Sequence, residues 1–266
     1  MPALRRAASG SDPSIDEAVR KDRCYQKPTL AVSHAFGRIA DVAVTSTFSH
    51  DRGLGRESSA NMPDERVSHW EEVYREKDDA QLSWHQDDPS ISLELCDVAG
   101  VVSGSSVIDI GGGTSRFAER LIERGLCDVS VLDLSKAALD RSRHQLGPAS
   151  ERIEWIAADV TTWRPDRSYD LWHDRAVFHF LIDADDRTAY RDRLCRCLRP
   201  GGHAIIATFA LDGPEKCSGL PVVRYDPEGL SEVLGDRFRL VAHRRHAHKT
   251  PWGTPQSFQY SLLQKV

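Results

Sequence analysis

The chain has 266 residues, is 28% charged and 40% hydrophobic, and carries a formal net charge of −5. That length suits one domain or two, and without a basic excess a nucleic acid is not expected as a partner, because phosphates need a cationic footprint. The cysteines at 24, 96, 127, 195, 197 and 217 include no Cys-x-x-Cys pair, so they read as reduced thiols of a cytoplasmic protein.

In chain order, residues 1–66 hold scattered charges and little sustained apolar periodicity. They read as a disordered extension, or as a mis-annotated leader to a true start at Met62. The run Ile39 to Val44 is too brief to span a membrane, and Asp12, Asp16, Glu17 and Asp22 speak against a transit peptide. A domain is expected over 67–266, with its core motifs in 105–210. Its first helix places Trp70 and Tyr74 on one face, and Trp84-His85-Gln86 follows in a loop. Ser90 to Ala99 reads as a second helix.

Val107 to Ile110 is a short β-branched run that enters Gly111-Gly112-Gly113, and an amphipathic helix follows from Arg116. This is the strand, turn and helix of a nucleotide-like cradle, where helix amides point at the ligand. Arg116 stands where a dinucleotide fingerprint needs its third glycine, and no phosphate-loop Gly-Lys-Ser/Thr follows. Asp128 to Leu134 is a second strand whose Asp133, twenty residues after Gly113, is placed to accept hydrogen bonds from ribose hydroxyls. Ser135 caps a helix running to Leu146. Ile153 to Val160 is a third strand with Asp159 at its end, suited to the exocyclic amine of an adenine.

Tyr169 to His173 is the fourth strand, Arg187 to Leu198 a helix, and His203 to Phe209 a fifth strand. Pro227 opens a helix. Phe238 to Ala242 and Phe258 to Leu263 are joined by Pro251-Trp252-Gly253-Thr254-Pro255, too short a link for a helical crossover, so they pair antiparallel. The fold expected is α/β: a doubly wound, mostly parallel seven-stranded sheet with a C-terminal antiparallel hairpin and helices on both faces. Cys195 and Cys197 face apart on a helix, and His246 and His248 read as exposed polar strand positions, so no metal site is expected.

Asp109-x-Gly111-x-Gly113, Asp133, Ala158-Asp159-Val160 and Leu198-Arg199-Pro200-Gly201-Gly202 together resemble the class I S-adenosylmethionine-dependent methyltransferases, over roughly Ser68 to the C-terminus. The resemblance implies S-adenosylmethionine as cofactor, with Asp109, Gly111, Gly112 and Gly113 at its methionine end, Asp133 and Leu134 at the ribose, and Asp159 and Val160 at the adenine. The Trp70-to-Trp84 segment and His173-Asp174-Arg175-Ala176 resemble the thiopurine S-methyltransferase group, with Trp84 in place of phenylalanine, His173 of tryptophan and Ala176 of glycine. By that likeness Trp70 and Trp84 close over the sulfonium and Arg175 anchors the cofactor's carboxylate. The same stretch resembles the Asp-Lys-Gly-Thr element of small lysine methyltransferases, with Arg175 for lysine and Val177 for threonine. The function expected is methyl transfer to a small-molecule thiol or amine, with a protein lysine as the alternative acceptor. A module that binds the cofactor or its demethylated product without catalysis is a second alternative. By position after the fourth strand, His173, Asp174 and His179 are the candidate catalytic bases.

Overall fold

The computed structural model describes residues 63–266. The expectations for the leader and for a start at Met62 lie outside the described residues. Apolar runs bounded by glycine and acid turns form strands β1 (Ser106–Ile110), β2 (Asp128–Asp133), β3 (Ile153–Ala157), β4 (Tyr169–Arg175) and β5 (Leu198–Phe209). A small ribbon, β6 (Lys216–Cys217) and β7 (Leu220–Pro221), follows, and then β8 (Phe238–Lys249) and β9 (Pro255–Lys265). The main sheet has the order β3-β2-β1-β4-β5-β9-β8; β1 to β5 are parallel, and β9 is antiparallel to both β5 and β8. This is the expected seven-stranded doubly wound sheet. Its strand order reverses beside β1, which places a ligand crevice at the carboxyl ends of β1 and β4.

Helices α1 (Pro63–Glu76), α2 (Ser90–Val98), α3 (Phe117–Glu123), α4 (Lys136–Leu146), α5 (Ala184–Cys197) and α6 (Pro227–Leu234) connect and cover it. Side chains alternate across each strand. Val107, Val129, Val131, Leu171 and Ile205 therefore pack with Leu95, Phe117, Leu121 and Leu139 of α2, α3 and α4. Ile108, Ile110, Trp172, Ala204 and Ile206 pack on the other face with Tyr190, Leu194, Leu230 and Leu234 of α5 and α6. All five residues of β1 are buried, as a central parallel strand requires. The predicted cap is present: the Ser135 hydroxyl accepts from the Ala138 amide at 3.1 Å.

The third strand stops at Ala157 rather than Val160, the fourth runs on to Arg175, and the helix expected over Arg187 to Leu198 spans Ala184–Cys197. Three further boundaries differ with a physical reason. Residues 63–66, counted with the leader, form the first turn of α1. Strand β5 begins five residues before His203, because Tyr169 pairs with Leu198 and Leu171 with His203 across an irregularity. Gly201 carries the chain through it at φ 76°, a backbone that other residues rarely adopt. The hairpin is longer, 12 and 11 residues, so its tip overhangs the end of β5. That overhang buries His248, expected to be exposed; its Nε2 donates to the Ser83 carbonyl at 2.8 Å. Cys96, Cys195, Cys197 and Cys217 are buried free thiols. Among the described residues no helix is long and apolar enough to cross a membrane.

Candidate functional site

The carboxyl ends of β1 to β4 open into a cleft of about 780 Å³ and an adjoining compartment of about 470 Å³ that shares Tyr74, Trp84, Gly111 and Arg175 with it. The glycine turn forms the floor, and its sequence is dictated by space. A Cβ on Gly111 would lie 2.0 Å from Val177 Cγ2, one on Gly112 2.7 Å from Asp109 Oδ2, and one on Gly113 2.7 Å from the Tyr74 hydroxyl. Gly111 also sits at φ 64°.

The three acids are brought together, each in a different setting; Asp159 lies in the turn two residues past β3, which ends at Ala157. Asp109 is buried; its Oδ1 accepts from His173 Nδ1 at 2.7 Å, while its Oδ2 has no partner. Asp133 accepts from the Ser135 amide at 2.8 Å and from the Gly113 amide, yet burial outweighs these donors and pushes its carboxyl up to about 7. Asp159 Oδ1 accepts from the amide and hydroxyl of Thr161, both at 2.7 Å, and its Oδ2 accepts from Arg66 at 3.0 Å. Leu134 and Val160 line the cleft beside them.

Helix α1 supplies one wall. Arg66, Trp70 and Tyr74 recur at i, i+4 and i+8, so all three face the cleft. Trp70 meets Trp84 edge-on at 5.5 Å and Phe180 at 5.1 Å, and Tyr74 meets Trp84 at 6.3 Å. These rings form an aromatic wall along the cleft. The helix is tied down by Arg66, which also reaches Asp186 at 2.7 Å, and by Glu71, which accepts from the Ala137 amide at 3.2 Å. Burial, with the nearby Asp133 charge, pushes the Tyr74 phenol far above its ordinary range.

Arg175, at the end of β4, lines both compartments. Its Nη1 donates to the Trp84 carbonyl at 2.7 Å, its Nε to the Tyr260 hydroxyl at 3.0 Å, and its Cζ lies 4.7 Å over the Phe258 ring. Nη2 is buried without a partner. Ala176 follows at φ 72°.

The three candidate bases do not line the larger cleft. His173 borders the smaller compartment, but both its ring nitrogens are engaged, Nδ1 by Asp109 and Nε2 by the Ser92 hydroxyl at 2.8 Å. Asp174 points to the opposite face of the sheet and accepts from the Val177 and Phe178 amides and the Tyr190 hydroxyl. His179 is fully buried; its Nδ1 accepts from the Phe209 amide at 3.4 Å, and burial with the Arg175 charge pushes it down to about 3. None is free to take a proton from a molecule in the larger cleft: Asp174 and His179 lie beneath its surface, and both ring nitrogens of His173 are engaged.

Sequence reasoning missed Arg66, Ser92 and Cys217, the last of which also lines the larger cleft. Arg66 had a legible signal, one helical turn before Trp70 on the same face. Ser92 and Cys217 had none, since only the packing of α2 and of the β6–β7 ribbon brings them in. Among the described residues no cluster of three His, Cys, Asp or Glu side chains is placed to hold a metal ion.

A family model described as a methyltransferase domain matches residues 107–202. The chain is similar to malonyl-(acyl-carrier protein) O-methyltransferase 2 of Ilyobacter polytropus, 25% identical over 148 residues that cover 52% of this chain and 56% of that protein. It is also similar to thiocyanate methyltransferase 1 of Arabidopsis thaliana, 27% identical over 187 residues, 68% of this chain and 78% of that one. The match thus spans little more than half the length of the Ilyobacter relative. The crystal structure of Burkholderia thailandensis 1,6-didemethyltoxoflavin-N1-methyltransferase, with 1,6-didemethyltoxoflavin and S-adenosylhomocysteine bound, shares the fold. Its TM-score is 0.58 at 21% identity, covering 82% of this chain and 93% of that one.

Proposed function

The domain belongs to the class I S-adenosylmethionine-dependent methyltransferases, and on that premise we propose that this chain moves a methyl group from S-adenosylmethionine to a small-molecule thiol or amine, a thiolate first. The observation that carries the reading is a pair of unsatisfied buried groups in one compartment. Asp109 Oδ2 and Arg175 Nη2 both lack partners, and both residues line the smaller compartment. A buried polar atom left without a partner is costly, and a carboxylate oxygen with a guanidinium nitrogen is the complement of an α-amino acid, ammonium to one and carboxylate to the other.

Asp109 and Gly111 to Gly113 then hold the methionine end with Arg175. Asp133 and Leu134 hold the ribose, and Asp159 and Val160 the adenine. When bound, S-adenosylmethionine supplies a methyl group made electrophilic by its sulfonium sulfur. Trp70, Tyr74, Trp84 and Phe180 present π-faces and edges that attract and desolvate such a cation. The chain's contribution is alignment: fixing the acceptor against the methyl is worth an effective concentration of about 10⁵–10⁸ M.

We assign His173, Asp174 and His179 to positioning and packing, because each is hydrogen-bonded beneath the cleft. No base is then offered to the acceptor, which arrives already deprotonated. That favours a thiol, whose lower pKa leaves more of it in the nucleophilic form near neutral pH, over an amine. The test is to incubate the full chain with methyl-labelled cofactor and a cell lysate. Label confined to the small-molecule fraction supports the proposal, and label in a protein band supports the lysine alternative. Tight binding with no transfer supports the non-catalytic module.

A further inference from the structure

A polar chain runs beneath the glycine turn. Asp109 and His173 are partners in the β1–β4 register, so their side chains leave the same face of the sheet as neighbours. The His173 ring is stacked on Phe117 at 3.9 Å between centroids. Its Nδ1 meets Asp109 Oδ1 at 2.7 Å, and its Nε2 meets the Ser92 hydroxyl of α2 at 2.8 Å. Asp109 and His173 side chains are each 2% exposed. A ring held by two hydrogen bonds and a stacked face has one orientation. The carboxylate it grips has one orientation too, and that leaves Oδ2 beside Gly112, where the missing Cβ would lie 2.7 Å away. In the neutral ring, Nδ1–H donates to the carboxylate and Nε2 accepts from Ser92.

We propose that His173, backed by Ser92, is a positioning residue that locks Asp109 so that Oδ2 receives the α-ammonium of the cofactor's methionine end. The inference rests on the methyltransferase reading. The mechanism resembles the way outer hydrogen bonds orient a metal's ligands, here applied to an ammonium. His173 takes no proton from the acceptor, and its loss is felt in cofactor recognition.

Three ligands separate the parts: S-adenosylhomocysteine, its analogue lacking the α-amino group, and 5′-methylthioadenosine, which lacks the whole amino-acid end. Calorimetry on the full chain is expected to show that His173→Phe, which keeps the stacking but not the hydrogen bonds, weakens S-adenosylhomocysteine about tenfold or more. The same variant is expected to leave the des-amino analogue and 5′-methylthioadenosine within about twofold. His173→Asn, which restores a donor near the Nδ1 position, regains most of the loss. Ser92→Ala gives a smaller loss with the same ligand selectivity, and it decides the matter if His173→Phe does not fold. Equal weakening of all three ligands, or of none, overturns the proposal. Failure of the unaltered chain to bind any of them contradicts the methyltransferase reading instead.

Discussion

His173 and Asp174 are adjacent in sequence, end the same strand and are both buried, yet they serve opposite faces of the sheet in opposite ways. On one face Asp174 is saturated. Its Oδ1 accepts from Val177 at 2.9 Å, its Oδ2 from Phe178 at 3.1 Å and from Tyr190 at 2.6 Å, and the Tyr190 hydroxyl in turn accepts from Trp172 Nε1 at 2.8 Å. On the other face the chain Ser92–His173–Asp109 ends in an oxygen that nothing satisfies. A buried polar network with every partner present is scaffold; one with a single open acceptor still has a donor to receive. Proximity to the cleft in sequence does not distinguish the two, but counting hydrogen bonds does.

The largest effects should come from breaking each face separately. Asp174→Asn puts an amide where Phe178 and Tyr190 donate, so denaturant unfolding should show a loss of about 2–3 kcal/mol, with cofactor affinity nearly unchanged once folded. Asp109→Asn should do the reverse, leaving stability within about 1 kcal/mol while S-adenosylhomocysteine binding falls at least about tenfold. If the two variants behave alike, the contrast between the faces is wrong.

The Arg66 bridge should rank next. Its partners Asp159 and Asp186 have side chains 9% and 30% exposed, so Arg66→Ala strands two partly buried carboxylates and should cost about 1–3 kcal/mol in denaturant unfolding. Asp133 gives a pH signature of about tenfold. Its carboxyl is raised to about 7, so the empty fold favours the protonated form. That contribution to stability is complete below the ordinary carboxylate range and is lost as pH rises through about 7. Ribose hydroxyls donate to the ionised form, so S-adenosylhomocysteine should bind about tenfold more tightly at pH 8 than at pH 6, and Asp133→Asn should flatten the profile. The smallest effect belongs to Ala176 at φ 72°. Ala176→Gly relieves a left-handed alanine and should add about 0.5–1 kcal/mol to stability, net of the entropy glycine loses on folding.

The sheet was legible because its strands announce themselves as β-branched runs ending in Asp109, Asp133 and Asp159, with Gly111 to Gly113 at the turn. The antiparallel hairpin was legible from the shortness of its Pro251-to-Pro255 link. Trp70 and Tyr74 were legible by helical spacing, and the same spacing holds for Arg66, which fell outside the expected domain boundary. Roles near the fourth strand were not legible. Whether His173 or His179 meets a ligand or lies under one depends on Ser92, Phe117 and Phe209, which sit 81, 56 and 30 positions away in the chain. Spacing along one segment carries no information about partners supplied by another.

Calorimetric titration of the full chain with S-adenosylhomocysteine tests the central claim most directly, alongside Asp133→Ala. Saturable binding that Asp133→Ala sharply weakens is the result predicted. No binding, or binding that Asp133→Ala leaves unaltered, would contradict the assignment of this cleft to S-adenosylmethionine.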